Sequence, residues 1–129
     1  MGNISPTQRT LKANRNLGRI CGIVERWQQY GGKFGIRQDL FGFIDIIAID
    51  EHYGIVGIQS TGQDFSGHVK KIMELEEIVK KWLDHAPLEL WSWRKVKKVR
   101  GGKAMIWKPR VADFYIDSNK ELVYKLVDK

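Results

Sequence analysis

The sequence predicts an α/β fold, of the α+β kind, in which helices flank a central mixed β-sheet. Apolar residues recur at helical spacing in two stretches, one before and one after a group of strand-like segments. Those segments are short and apolar, and polar turns separate them. The chain has 129 residues without a repeat, a low-complexity stretch or a linker. We therefore expect one domain over residues 1–129, with its helices packed on the sheet.

The first helix is predicted over residues 17–30, after a flexible basic arm at residues 1–15. The arm contains Pro6 and several polar residues without periodicity. The helix has a buried stripe at helical spacing, formed by Leu17, Ile20, Cys21, Val24 and Trp27. Gly31 and Gly32 follow the stripe, and glycine commonly lies just past the end of a helix. Glu25 is then expected at the edge of the core.

Three strands are predicted next, at residues 33–38, 42–49 and 54–60. Side chains alternate along a strand, so Gln59 and Thr61 share one face. If Asp45 of the preceding strand lies on that same face, a polar cluster forms at one end of the hairpin. An aspartate within a run of Ile and Phe is costly to bury unless it is paired or binds a metal ion. This strand pair is therefore the candidate site.

A second helix is predicted over residues 66–85, with Asp64 or Ser66 as its N-cap and Pro87 beyond its end. Four further strand segments are expected, at residues 88–99, 104–107, 111–116 and 122–127. The glycine-rich residues 100–103 predict a turn between the first two of them.

Charge predicts an anionic partner. The formal net charge is +7 and the isoelectric point is near 9.6. Residues 94–110 hold eight basic side chains and no acid, namely Arg94, Lys95, Lys97, Lys98, Arg100, Lys103, Lys108 and Arg110. Such a segment predicts a surface that contacts DNA phosphates. The alternative is a solvated sheet edge that lysines protect from aggregation.

Several classes of protein are not expected. The single cysteine, Cys21, excludes an internal disulfide and a cysteine-based zinc site, and the three histidines lack metal-ligand spacing. No apolar stretch approaches the roughly 20 residues that span a bilayer. The opening residues do not resemble a secretory signal. We expect an intracellular protein of the cytoplasm or nucleoid, and a virus-encoded protein that acts in its host cell also fits.

Four candidate residues follow a recognisable order along the chain. Glu25 lies on the predicted first helix, Asp45 lies between Ile44 and Ile46 on a strand, and Gln59 and Thr61 lie on the next strand. This order resembles the PD-(D/E)XK nuclease superfamily, and most of all the archaeal-type Holliday junction resolvases, over roughly residues 18–93. The resemblance implies a restriction-endonuclease-like αβββαβ core. It also implies that Asp45 takes the place of the family aspartate, and that Glu25, Arg26 and Arg37 take the places of the family glutamate and its two arginines.

The sequence departs from that pattern on the third strand. Gln59 stands where the family has an acid, and Thr61 stands where it has the lysine. A glutamine oxygen still suits Mg²⁺, which prefers oxygen ligands. Lys70 or Lys71, early in the second helix, is a candidate for the missing positive charge. Asp39 either replaces the carboxylate lost at Gln59, or is a turn aspartate that bonds its own backbone.

The resemblance implies a Mg²⁺-dependent DNA endonuclease, with Mn²⁺ able to substitute, that resolves four-way junctions as a homodimer. Its catalytic residues are expected to be Glu25, Asp45, Gln59, Thr61 and Lys71. The expected metal ligands are Asp45, Gln59, Glu25 and Asp39. The expected DNA contacts are Arg26, Arg37, Arg94, Lys95, Lys97, Lys98, Arg100 and Lys103. The candidate dimer contacts are Phe41, Trp91 and Trp107.

Three alternatives remain open. The first is a nuclease of the same fold that acts on other DNA structures, and the second is a DNA-binding module that does not cleave. A ribosomal or other RNA-binding protein also fits the charge, but it leaves Asp45 and Glu25 without a role.

Overall fold

A computed structural model describes residues 4–29 and 35–129. Its elements follow the chain as α1 (Pro6–Asn16), β1 (Ile20–Ile23), β2 (Arg26–Gln29), β3 (Gly35–Gln38), β4 (Ile46–Asp50), β5 (Gly54–Thr61), α2 (Phe65–Glu74), α3 (Glu76–Leu83), β6 (Leu88–Lys97), β7 (Met105–Ile116) and β8 (Leu122–Val127).

The main sheet has six strands in the order β1-β4-β5-β6-β7-β8, while β2 and β3 form a separate hairpin. Strands β5 and β6 are parallel, and the other neighbours in the main sheet are antiparallel. Helix α1 packs on one face, over a core that includes Ile46, Ile58 and Trp91. Helices α2 and α3 cover the other face. The predicted class, a mixed sheet flanked by helices, is therefore confirmed.

The prediction of a first helix over residues 17–30 is wrong, and so is the flexible arm from Pro6 onward. The helix lies earlier, because Ser5 caps it by accepting a hydrogen bond from the Gln8 amide at 3.2 Å and Pro6 occupies its first turn. Gly18, with φ of 89°, follows that helix. The apolar residues beyond it are strand residues at the edge of the sheet, and Ile20 is 69% exposed. Glu25 consequently lies between β1 and β2 rather than on a helix.

Two other segments differ from the prediction. The second helix divides at Leu75 into α2 and α3, although Asp64 caps it as expected by accepting from the Gly67 amide at 3.2 Å. The segments 104–107 and 111–116 form a single strand, β7. Proline is tolerated inside it because Pro109 lies opposite Trp93, and β8 pairs with β7 only from Val111 onward.

The remaining strand predictions hold with shifted ends. Strands β5, β6 and β8 occupy the segments predicted at 54–60, 88–99 and 122–127. The strand predicted at 42–49 begins only at Ile46. Of the segment predicted at 33–38, residues 35–38 form β3, and residues 33–34 lie outside the described part.

Candidate metal centre

Three carboxylates converge at one end of the sheet. Asp45 directly precedes β4, Asp39 directly follows β3, and Glu25 lies in the link between β1 and β2. One oxygen from each lies within 4.8 Å of the others. Asp45 is buried, and Glu25 and Asp39 are partly buried. This acidic cluster, defined by Glu25, Asp39 and Asp45, could hold a metal ion.

Local backbone geometry produces this convergence. A tight turn reverses the chain between Asp39 and Asp45, with positive φ at Phe41 (57°) and Gly42 (86°). Two hydrogen bonds between Leu40 and Ile44, of 2.8 and 3.0 Å, close the turn. The Asp45 carbonyl also accepts from the amide of Val24 at 2.8 Å and from that of Glu25 at 3.2 Å. The β1–β2 link is thereby held beside the turn.

Gln59, on β5, lies beneath the acidic cluster and contacts two of its carboxylates. Its Nε2 donates to Asp45 Oδ2 at 2.5 Å and to Asp39 Oδ2 at 3.3 Å. The Ser60 amide donates to Asp45 Oδ2 at 2.8 Å. Asp45 and Gln59 thus face each other, which is the condition on which the predicted polar cluster depended. Gln59 Oε1 is buried and has no hydrogen-bond partner within the described part of the chain.

Lys71 supplies a positive charge to the cluster from α2. Its Nζ lies 2.7 Å from Asp39 Oδ2. Lys70 points elsewhere, with its Nζ 4.0 Å from Glu74 Oε1 and its side chain 78% exposed. Of the two candidate lysines, Lys71 is thus the one beside the carboxylates. Thr61 is buried opposite Ser92 and makes no hydrogen bond to the acidic cluster in the described residues.

The pKa values of Asp45 and Asp39 are shifted in opposite directions. Burial, reinforced by the adjacent Asp39 carboxylate, raises the pKa of Asp45 to about 8. Burial alone would also raise the pKa of Asp39, but hydrogen bonds from Asp45 and Lys71 outweigh it, so that pKa lies below its usual value. Near neutral pH, Asp45 therefore carries a proton beside the ionised Asp39. Either a proton or a bound cation can relieve the repulsion between these carboxylates.

The predicted arginines border this centre. Arg37 Nη1 lies 3.3 Å from Glu25 Oε1, and the Arg37 side chain is 71% exposed. Arg26 lines a surface pocket together with Asp39. Both side chains lie at the solvent side of the acidic cluster. Of the candidate dimer contacts, Phe41 and Trp107 are exposed, whereas Trp91 is 1% exposed and packs in the core, so its prediction as a dimer contact is wrong.

The basic segment is a projecting hairpin. Strands β6 and β7 stay paired as far as Lys97 and Met105, past the end of β5 at Thr61. The six predicted DNA contacts on it are all exposed, namely Arg94, Lys95, Lys97, Lys98, Arg100 and Lys103. Their cationic groups are thus open to an anionic partner.

Sequence reasoning missed one contributor to the centre and one buried network. The Ser60 backbone amide binds Asp45, and its place between Gln59 and Thr61 was the available signal. Arg19, predicted on a helix, instead forms a buried bidentate pair with Glu89, at 2.8 and 3.1 Å. It also donates to Asp50 at 2.7 Å. Asp50 ends β4, so this network lies at the opposite end of the strand from Asp45 and serves the fold.

The described helices include none that is long and apolar enough to cross a membrane. Comparisons of the chain with protein-family models, with curated proteins and with solved structures found no match.

Proposed function

We propose that the protein is a Mg²⁺-dependent DNA endonuclease that hydrolyses phosphodiester bonds, with Holliday junctions as its substrate. The observation that carries the proposal is the convergence of Glu25, Asp39 and Asp45 with Gln59 and Lys71 at one end of the sheet. These side chains come from five places in the chain, and Asp45 and Gln59 are buried among apolar strands. Carboxylates gathered in this way are costly for a fold, which favours a functional reason for them.

The donor set fits a hard divalent cation. Glu25, Asp39 and Asp45 would supply carboxylate oxygens of the kind that Mg²⁺ accepts. The Gln59 amide, whose Nε2 faces two of them, would have to turn over for its unpartnered Oε1 to join them. When bound, such an ion lowers the pKa of a water ligand and polarises a phosphoryl oxygen. The assignment extends to Mn²⁺, which takes the same ligand types.

The cations around the cluster suit a phosphate. Lys71, held by Asp39 at 2.7 Å, is placed to contact a phosphate that approaches the carboxylates. It would supply the charge that Thr61 lacks. Arg37 and Arg26 flank the solvent side and would contact neighbouring phosphates of the same DNA. The exposed cations of the β6–β7 hairpin add an interaction that does not depend on sequence.

The order of the elements supports the proposed resemblance to the resolvases. Leaving aside the β2–β3 hairpin, the elements α1, β1, β4, β5, the α2–α3 pair and β6 follow the order αβββαβ. The hairpin is inserted between the first two of these strands, and Glu25 and Asp39 stand at its two ends. An inserted hairpin would thus deliver both carboxylates that a resolvase-like core requires beside Asp45. Junction resolution would further require two copies related by a two-fold axis, one for each nick.

One observation favours a DNA-binding module that does not cleave. Gln59 turns amide hydrogens, not oxygen, toward Asp45 and Asp39. That arrangement satisfies the carboxylates without a metal ion. In such a module, Gln59 and Thr61 would mark a lost active site.

An end-labelled four-way junction, with linear duplex of the same sequence beside it, separates the two functions. Each DNA is incubated with the wild type in Mg²⁺, with the wild type in EDTA, and with the Asp45→Asn variant in Mg²⁺. Lys70→Met serves as a control that removes a charge from the same helix but outside the cluster. Paired nicks in the junction that disappear in EDTA and in Asp45→Asn support the resolvase. Nicks in duplex as readily as in junctions would support another nuclease, and tight binding without nicks would support the binding module.

A further inference from the structure

A recess borders the free edge of β6. Strand β5 ends at Thr61, and the Trp93 amide still donates to the Gly62 carbonyl at 2.9 Å. From Arg94 onward, within the described residues, β6 pairs with β7 alone. We call the recess the basic notch; its lining residues are Gln63, Ser92, Trp93, Arg94, Lys95 and Arg110.

Positive charge in the basic notch is uncompensated. Arg94, Lys95 and Arg110 all line it, and no carboxylate does. Within the described part of the chain none of the three makes an ion pair. The Arg110 guanidinium stacks 5.1 Å above the Phe65 ring, which holds it in place at the start of α2. Three neighbouring cations without a counter-ion favour binding of an anion.

The backbone adds a donor of the kind that binds phosphate. N–H groups alternate between the two edges of a strand. Since the Trp93 N–H points toward Gly62, the N–H of Lys95 points toward the same side, where β5 has ended. Backbone N–H groups beside arginines and lysines are common ligands of DNA phosphates. The edge that lacks a strand partner can therefore serve as part of an anion site.

The basic notch lies near the acidic cluster on the same side of the sheet. Thr61, Ser92 and Arg110 are paired in register across β5, β6 and β7. Gln59 lies two residues earlier on β5 and shares the α2 face with Thr61 and Ser92. At about 3.3 Å per residue, Thr61 is some 7 Å beyond Gln59 along β5, and Ser92, which lines the notch, lies opposite Thr61. A DNA strand with one phosphate at the carboxylates can reach the notch with another.

We propose that the basic notch binds a backbone phosphate of the DNA strand whose neighbouring phosphate lies at the acidic cluster, one to three nucleotides away. Arg94 and Arg110 are then positioning residues that fix the register of the cleaved strand. This inference rests on the proposed function, because it takes DNA as the ligand.

Neutral phosphate analogues test the proposal without requiring cleavage. A single methylphosphonate is placed at successive positions along one strand of a four-way junction. The affinity of each junction is then measured in EDTA for three proteins. These are the wild type, the double variant Arg94→Gln/Arg110→Gln, and the control Lys97→Gln/Lys98→Gln. The control removes the same charge from the hairpin but leaves the notch intact. Arg94→Gln alone repeats the measurement in case loss of the Arg110–Phe65 contact disturbs the fold.

The wild type and the control should lose about tenfold in affinity when one or two adjacent positions are neutralised. The notch variants should bind every analogue equally at those positions. The inference is overturned if the notch variants keep the same positional pattern as the wild type. If the wild type nevertheless nicks junctions in Mg²⁺, the proposed nuclease function is retained and the notch has no part in it. A positional pattern erased by the notch variants, with no nicking in Mg²⁺, would support the phosphate site and reject the nuclease. Failure of the wild type to bind DNA would reject both.

Discussion

Replacing Asp45 with asparagine should remove a pH dependence from the stability of the metal-free protein. Asp45 is 4% exposed, and its pKa is raised to about 8 by burial and by the neighbouring Asp39. An unfolded aspartate titrates near pH 4. Between about pH 4 and pH 8 the folded protein therefore holds a proton that the unfolded chain has released. Stability must fall as the pH rises through this window.

The magnitude follows from one proton. The slope approaches about 1.4 kcal/mol per pH unit, so the wild type should lose about 3–4 kcal/mol between pH 5 and pH 8. Asparagine does not titrate, and its oxygen can still accept from the Ser60 amide while its NH₂ group can donate to Asp39. Asp45→Asn should therefore become the more stable protein at pH 8, with a stability that changes little across the window.

Urea denaturation in EDTA at pH 5, 6, 7 and 8 measures the difference. Glu51→Gln is a suitable control, because Glu51 is exposed in the turn between β4 and β5. Mg²⁺ at pH 8 should then restore the wild type, by about 2.7 kcal/mol at one hundred times its dissociation constant, and leave Asp45→Asn unchanged. Parallel pH profiles for the wild type and Asp45→Asn would refute the reasoning, since they would show that Asp45 is ionised without a cation.

Three further substitutions give distinct outcomes. Lys71→Met should reduce cleavage about 100-fold or more with Mg²⁺ affinity retained, whereas Lys70→Met should cleave normally; equal effects in single-turnover assays would contradict the assignment of Lys71. Gln59→Glu should bind Mg²⁺ about tenfold more tightly by calorimetry and be less stable in EDTA, since it adds a buried charge to the acidic cluster; unchanged affinity would place the metal elsewhere. Arg19→Met should cost about 3 kcal/mol in urea denaturation with unchanged Mg²⁺ affinity, because the buried Glu89 loses its bidentate partner and keeps, among the described residues, the longer ion pair to Lys129 at 3.4 Å. A neutral effect would contradict a structural network.

Alternation along the strands indicated where the centre of the site could form. Counting residues put Gln59 and Thr61 on one face and left the face of Asp45 open; in the structure Gln59 Nε2 donates to Asp45 Oδ2. Lys71 was within reach of sequence reasoning because it follows the helix start at Asp64. The choice between Lys70 and Lys71 needed the actual orientation of α2, which a 3.6-residue period does not fix in advance.

Residues 6–29 could not be assigned correctly from periodicity. The spacing of Ile20, Val24 and Trp27 imitates a helix, yet these residues belong to edge strands and their connection. The helix signal lay in Ser5 and Pro6, a cap followed by proline, and not in a hydrophobic stripe. Glu25 was thus predicted as a site residue because of its supposed place on a helix. In the structure it reaches the site from the connection between β1 and β2. Its approach depends on the Asp45 carbonyl, a tertiary contact without a sequence signal.

Direct location of a divalent cation tests the central claim most simply. Crystals of the wild type and of Asp45→Asn, each soaked in Mn²⁺, would be measured for anomalous scattering by the ion. We expect a peak among Glu25, Asp39 and Asp45 in the wild type that is absent from Asp45→Asn. An empty acidic cluster in wild-type crystals at saturating Mn²⁺, or an equal peak in the variant, would contradict the assignment of this centre as a metal site.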